Sequence, residues 1–167
     1  MSDFAIKFFI AFPCSAADAA RFFAVRCYLI AQQNGDAALL EPSAAALLQD
    51  ERSDPPETYL AELLSTGEGL GVDCSYDVAS QHLHIWSIDP TPDLHALSVM
   101  LQRLYPEYLP IGFEWAYTCS RPRLDAYGGG YMVIHAHGIV QNSTHDLMIS
   151  DLAAPHYGSN CSSGTGA

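Results

Sequence analysis

Phe4, Ile6, Phe8, Ile10 and Phe12 fall on every second residue of FAIKFFIAF (4–12), the repeat of a strand with one buried face. The succession of repeats after this strand limits the fold most. The apolar spacing lengthens to that of a helix, returns twice to that of a strand, and then repeats helix and strand. Ser15 with Asp18 makes a capping box that opens a helix running to about Gln33, its apolar face built from Phe22, Phe23, Val25, Cys27, Leu29 and Ile30. Asn34-Gly35 ends it. LGVDCSYDV (70–78) and HLHIWSID (82–89) are two strands in quick succession, with Leu70, Val72, Cys74, Tyr76 and Val78 on one face of the first and Leu83 and Ile85 in the core of the second. Even positions must then oppose odd ones, and the expected register sets Asp77 against His84 and Ser75 against Trp86. Thr91 as N-cap and Pro92 at the first helical position start another helix with a Leu94, Leu97, Leu101 and Leu104 stripe, ended by Tyr105-Pro106. IGFEWAYTC (111–119) is the fourth strand.

Strand, helix, strand, strand, helix, strand is the split βαβ pattern. The expected fold class is α+β: a ferredoxin-like antiparallel sheet in the order 4-1-3-2 with both helices on one face, the arrangement that right-handed crossovers would give. YMVIHA (131–136) adds a strand beside the fourth, followed by a short strand near Ile139–Gln141 and a helical turn near 144–152. Residues 1–152 are expected to form a single domain, with 34–69 an acidic helical insertion and 153–167 a flexible tail. In the insertion, Asp54-Pro-Pro-Glu57 is a helix start and Tyr59, Leu60, Leu63 and Leu64 form a stripe. A 49% hydrophobic content over 167 residues suffices for one core.

The charge is unevenly placed. The formal net charge is −12, yet residues 36–93 alone hold twelve acids against Arg52. Such a chain does not grip nucleic-acid phosphates across its surface. A one-signed patch instead steers and selects a basic partner. The expected partner-binding residues are Asp50, Glu51, Asp54, Glu57, Glu62, Glu68, Asp73 and Asp77, with Trp86 beside them. A solvated acidic face with no specific partner is the plain alternative.

The strand alternation also predicts an outer sheet face, opposite the helices, bearing Lys7, Phe9, Asp73, Ser75, Asp77, His84, Trp86, Glu114, Ala116 and Thr118. Phe9 and Trp86 on the two central strands resemble the stacking aromatics of RNA-recognition domains. The RNP patterns are absent, and the neighbouring acids oppose a phosphate backbone, so a protein-covered face is the better reading.

Two H-x-H pairs, His82/His84 and His135/His137, invite a metal reading. Strands three and five lie three interstrand steps apart in the expected sheet, about 14 Å, so the pairs cannot share one ion without the C-terminal hairpin folding over. His135 and His137 with Cys119 are the local metal candidates; ordinary histidines are the better reading. Arg121-Pro-Arg123 with Gly128, Gly129 and Gly130 is an anion-cradle candidate, although no Lys-Ser/Thr and no helix comes after it as a P-loop demands. No nucleophile elbow or zincin motif occurs. Cys14, at a helix N-terminus, is a candidate for an enhanced thiolate fraction.

Five cysteines without a C-x-x-C pair fit reduced thiols. Asp3 and Lys7 spoil the apolar start as a signal peptide, and no stretch reaches the ~20 apolar residues of a membrane span, so the expected location is the cytoplasm.

The run GFEWAYTCSRPRLDAYGGGYMVIHAHG (112–138) is similar to the C-terminal part of small uncharacterised accessory proteins of bacterial plasmids and integrated mobile elements. The resemblance implies an accessory role in a mobile element, where acidic proteins block host nucleic-acid-binding machinery, and brings no catalytic residues. The leading expectation is therefore a non-enzymatic acidic protein-binding module: a mobile-element inhibitor competing with nucleic acid for a basic surface on a host protein, with no cofactor. The alternatives are a small-ligand or metal-dependent enzyme using the Arg/Gly loop and adjacent histidines, and a structural homodimer through the open sheet face.

Overall fold

The computed structural model describes residues 4–35, 44, 46, 70–119 and 128–153. Among them are six strands and three helices, an α+β arrangement with every strand pair antiparallel. In chain order these are β1 (Phe4–Pro13), α1 (Ala16–Asn34), β2 (Val72–Asp77), β3 (His82–Ser87), α2 (Leu94–Leu104), β4 (Ile111–Cys119), β5 (Gly129–His135), β6 (Gly138–Ser143) and α3 (Thr144–Ala153). The sheet runs β2-β3-β1-β4-β5-β6.

The two-residue repeat read in the sequence sorts the faces. Phe8, Ile10 and Phe12 are buried while Lys7, Phe9 and Ala11 are exposed. Leu83, Ile85, Phe113, Trp115, Met132 and Ile134 join the same core from the neighbouring strands. Phe22, Val25 and Leu29 of α1 and Leu97, Met100, Leu101 and Leu104 of α2 cover it. Each such side chain contributes about 1.5–3 kcal/mol through removal from water.

Helix ends are fixed by short polar side chains. The Ser15 hydroxyl accepts the Asp18 N–H at 3.1 Å and donates to the Asp18 carboxylate at 2.6 Å, the expected capping box. The α2 cap is Asp93, not Thr91: its Oδ1 accepts the Ala96 N–H at 2.8 Å, and the helix begins at Leu94, two residues beyond Pro92. A carboxylate satisfies the orphan N–H at least as well as a threonine hydroxyl and suits the helix dipole, so the later acid takes the role.

Tyr105, read as a helix terminator, is fully buried. Its hydroxyl donates to the Asp18 carbonyl at 2.8 Å, and its ring lies edge-on to Phe12. Arg21 sits over that ring and donates to the Leu104 carbonyl and to Glu107, joining α1 to the end of α2.

The β2–β3 register differs from expectation by two residues. Parity holds, but Asp77 faces His82, Ser75 faces His84 and Asp73 faces Trp86. The cause is local. Asp77 accepts from the Ala79 N–H and the Ser80 hydroxyl, forming an Asx turn over 78–81 that Gln81 closes at φ 55°. Val78, read as a core position, is drawn into that turn and is 79% exposed.

The expected insertion lies outside the described residues apart from Asn34 and Gly35 at the end of α1 and Ala44 and Ala46, the last two both helical, with Ala44 buried in the core. The expected tail lies outside them from residue 154.

Candidate functional site

Alternation along four strands leaves one face of the sheet away from α1 and α2. Its centre is a row set by two ladders: Asp73 of β2 opposite Trp86 of β3, and Trp86 opposite Phe9 of β1. Strand spacing of about 4.8 Å places these three side chains side by side within about 10 Å. The next row is Ser75, His84 and Ala11, and beyond it Asp77, His82 and Pro13. Phe9 is 57% exposed, and its ring centroid lies 5.4 Å from that of His84. His82 and His84 are 6.4 Å apart, ring to ring, and His82 Nδ1 is 2.7 Å from the Ser80 carbonyl. On the other side Lys7 pairs with Ala116, and Glu114 and Thr118 are exposed on β4.

Of the described carboxylates at this face, Asp73 and Asp77 also have duties within the chain. Asp73 accepts from the Cys74 N–H at 2.8 Å and meets the Arg26 guanidinium at 3.2 Å, which offsets its charge. Asp77 holds the β2–β3 turn. The Ser80 hydroxyl, followed by the Ala79 N–H, keeps its carboxyl below the usual range, so it stays ionised and exposed. Asp50, Glu51, Asp54, Glu57, Glu62 and Glu68 lie outside the described residues, as do Arg121 and Arg123.

Gly129 and Gly130, read as part of a loop, lie within β5 opposite Ala116 and Trp115; Gly128 immediately precedes it. A Cβ at Gly129 would come within 2.3 Å of the Trp115 carbonyl oxygen, and one at Gly130 within 2.2 Å of the Asn142 oxygen and 2.7 Å of the Trp115 ring. Gly130 makes room for the Trp115 indole, and Gly129 for the Trp115 backbone carbonyl. Anion cradling is a separate matter that the close approach does not require.

The metal candidates are not brought together. Ile111 pairs with Ile134, so His135 sits at the start of β4 while Cys119 is its last residue, eight positions and about 27 Å along the strand. His137 lies in the β5–β6 turn, beyond His135. Among the described residues no group of three or more His, Cys, Asp or Glu is placed to hold a metal ion.

A feature not foreseen is an open cleft of about 480 Å³ between the end of β1, the start of α1 and the β2–β3 turn, lined in part by Cys14, Tyr76, Gln81 and Tyr108. Its hydroxyls are already engaged: Tyr76 donates to the Cys14 carbonyl and Tyr108 to the Asp18 carboxylate. Burial, and after it the Asp18 charge, pushes the Cys14 thiol up, so the expected activation at the helix N-terminus does not arise. The cleft gathers residues from three separated segments, and no local pattern announces it.

No family model, curated protein or solved structure matches the chain. No helix among the described residues is long and apolar enough to cross a membrane.

Proposed function

We propose that this chain is a non-enzymatic protein-binding module on a ferredoxin-like scaffold, and that its open sheet face receives a basic surface of another protein. The observation that carries the reading is the exposed Phe9 beside Trp86, in the middle of a face bordered by Asp73, Asp77 and Glu114. Aromatic anchors within a charged border are the usual make-up of a binding hot spot. The acids concentrated in residues 36–93 add long-range attraction for Lys and Arg on the partner. In its most specific form the module is a cytoplasmic inhibitor encoded by a mobile element, occupying a host protein's nucleic-acid site. It needs no cofactor.

The test is competition. A basic host protein captured by the native chain should release its nucleic acid when the chain is added. A variant carrying Phe9→Ser and Trp86→Ser should not displace the nucleic acid. Equal displacement by both proteins overturns the sheet face as the binding site.

A further inference from the structure

Both edges of the sheet end in short strands, but among the described residues only one has its outward backbone groups engaged in part by side chains. At β2 the Arg26 Nε donates to the outward carbonyl of Val72 at 2.9 Å, and the Asp73 carboxylate accepts the N–H of Cys74 at 2.8 Å. Side chains thus occupy two of the backbone groups another strand would need, which hinders pairing at that edge.

At the other edge, β6 is joined to β5 by the two-residue turn Ala136-His137, with His135 paired to Gly138. Hydrogen bonding of that closing pair, followed by antiparallel alternation, turns the N–H and C=O of Ile139 and Gln141 outward. Among the described residues no side chain takes them. The strand, GIVQNS, has no charge, proline or bulge to deter pairing.

Charge points to the occupant. Residues 128–143, the whole β5–β6 hairpin, contain no Asp, Glu, Lys or Arg in a chain of net charge −12. Two such chains repel one another wherever the acids lie, and less along this hairpin, since the nearest acids in sequence after it, Asp146 and Asp151, belong to α3. The margin is also apolar: Val140 on β6 and Leu147, Met148, Ile149 and Leu152 on the adjoining α3 are all exposed, half of the large exposed hydrophobic side chains among the described residues. That concentration exceeds the scattered single residues of an ordinary surface.

We propose that the β6 edge is where a second copy of this chain pairs, antiparallel about a two-fold axis, to make one continuous twelve-stranded sheet. Outward Ile139 then bonds Gln141 of the other copy, and Val140 faces its own counterpart across the axis. The inference is independent of the basic-partner reading, because it uses the opposite end of the sheet.

The test is the mass of the full chain in solution by light scattering. The native protein is expected at twice 18.1 kDa. Gln141→Pro removes an outward N–H that the β5 ladder does not use, and Val140→Asp sets like charges face to face. Both are expected at the single-chain mass with an unchanged circular dichroism spectrum; if the proline variant unfolds, Val140→Asp decides. Trp86→Glu is expected to remain a dimer. A native protein of single-chain mass, a dimer that survives the deciding edge substitutions, or one lost in Trp86→Glu would each overturn the proposal.

Discussion

Phe9 and Trp86 are direct ladder partners on the sheet face that α1 and α2 leave uncovered, while Phe8, one residue earlier, is buried against Phe113 on the other face. The two phenylalanines should therefore respond in opposite ways to truncation. Phe9→Ser is expected to change folding stability by less than about 1 kcal/mol, as for other surface positions. Phe8→Ala should lose about 3–5 kcal/mol. Urea unfolding of both variants checks this, and equal losses would contradict the face assignment.

Gly130 and Gly138 offer a matched pair. Alanine at Gly130 drives a methyl group into the Trp115 ring and the Asn142 oxygen, whereas a Cβ at Gly138 meets nothing within 4 Å. Gly130→Ala should destabilise by about 1–3 kcal/mol or more, and Gly138→Ala should lie within about 0.5 kcal/mol of native. Thermal unfolding distinguishes them. A harmless Gly130→Ala would mean that the strands do not approach as described.

Thiol chemistry tracks burial. Desolvation pushes Cys74 up to about 11, and Cys14 is raised as well, while Cys27 is exposed. At pH 8 a thiol-reactive disulfide should modify Cys27 before Cys14 and Cys74. Cys74 should react faster as pH climbs toward its raised value, because only the thiolate attacks. Site-resolved mass spectrometry of the modified protein reads the order; early loss of Cys14 would contradict it.

Asp18 links the α1 cap to Tyr108. The Ser15 hydroxyl, then the Tyr108 hydroxyl, lowers its carboxyl below the ordinary value. A depressed folded-state value means the charged form stabilises the fold above the unfolded value of about 3.9 and loses that contribution as pH falls through the folded one. The stability gap between native protein and Asp18→Asn should thus be flat near neutrality and shrink in acid. A gap that widens in acid would contradict the capping geometry.

Much of the fold was legible because strand and helix repeats are local. Phe8, Ile10 and Phe12, or Leu97 and Leu101, declare their buried face by spacing alone. The misplaced features depend on competition or distance. Val78 fits an apolar alternation, but the Asp77 carboxylate bonds its own turn and overrides it. Thr91 and Asp93 are both good caps two residues apart, and spacing does not choose between them. The requirement for glycine at 129 and 130 comes from Trp115, fourteen or more positions away. The candidate face was legible through the same alternation: Phe9 and Trp86 stand out as large aromatics on the polar side of their strands. The engagement of Asp73 by Arg26 was not, since it joins a helix to a strand edge across 47 residues.

The most direct measurement of the central claim is capture from a host lysate at low and high salt, using the native chain beside one with Asp50, Asp54, Asp73 and Asp77 changed to Asn and Glu51, Glu57, Glu62 and Glu68 changed to Gln. The account predicts that the native chain retains a basic protein at low salt and loses it at high salt, as screening weakens attraction between exposed charges. It predicts that the neutralised chain retains none. Capture that is indifferent to both salt and neutralisation, or no basic protein captured at all, would contradict the account.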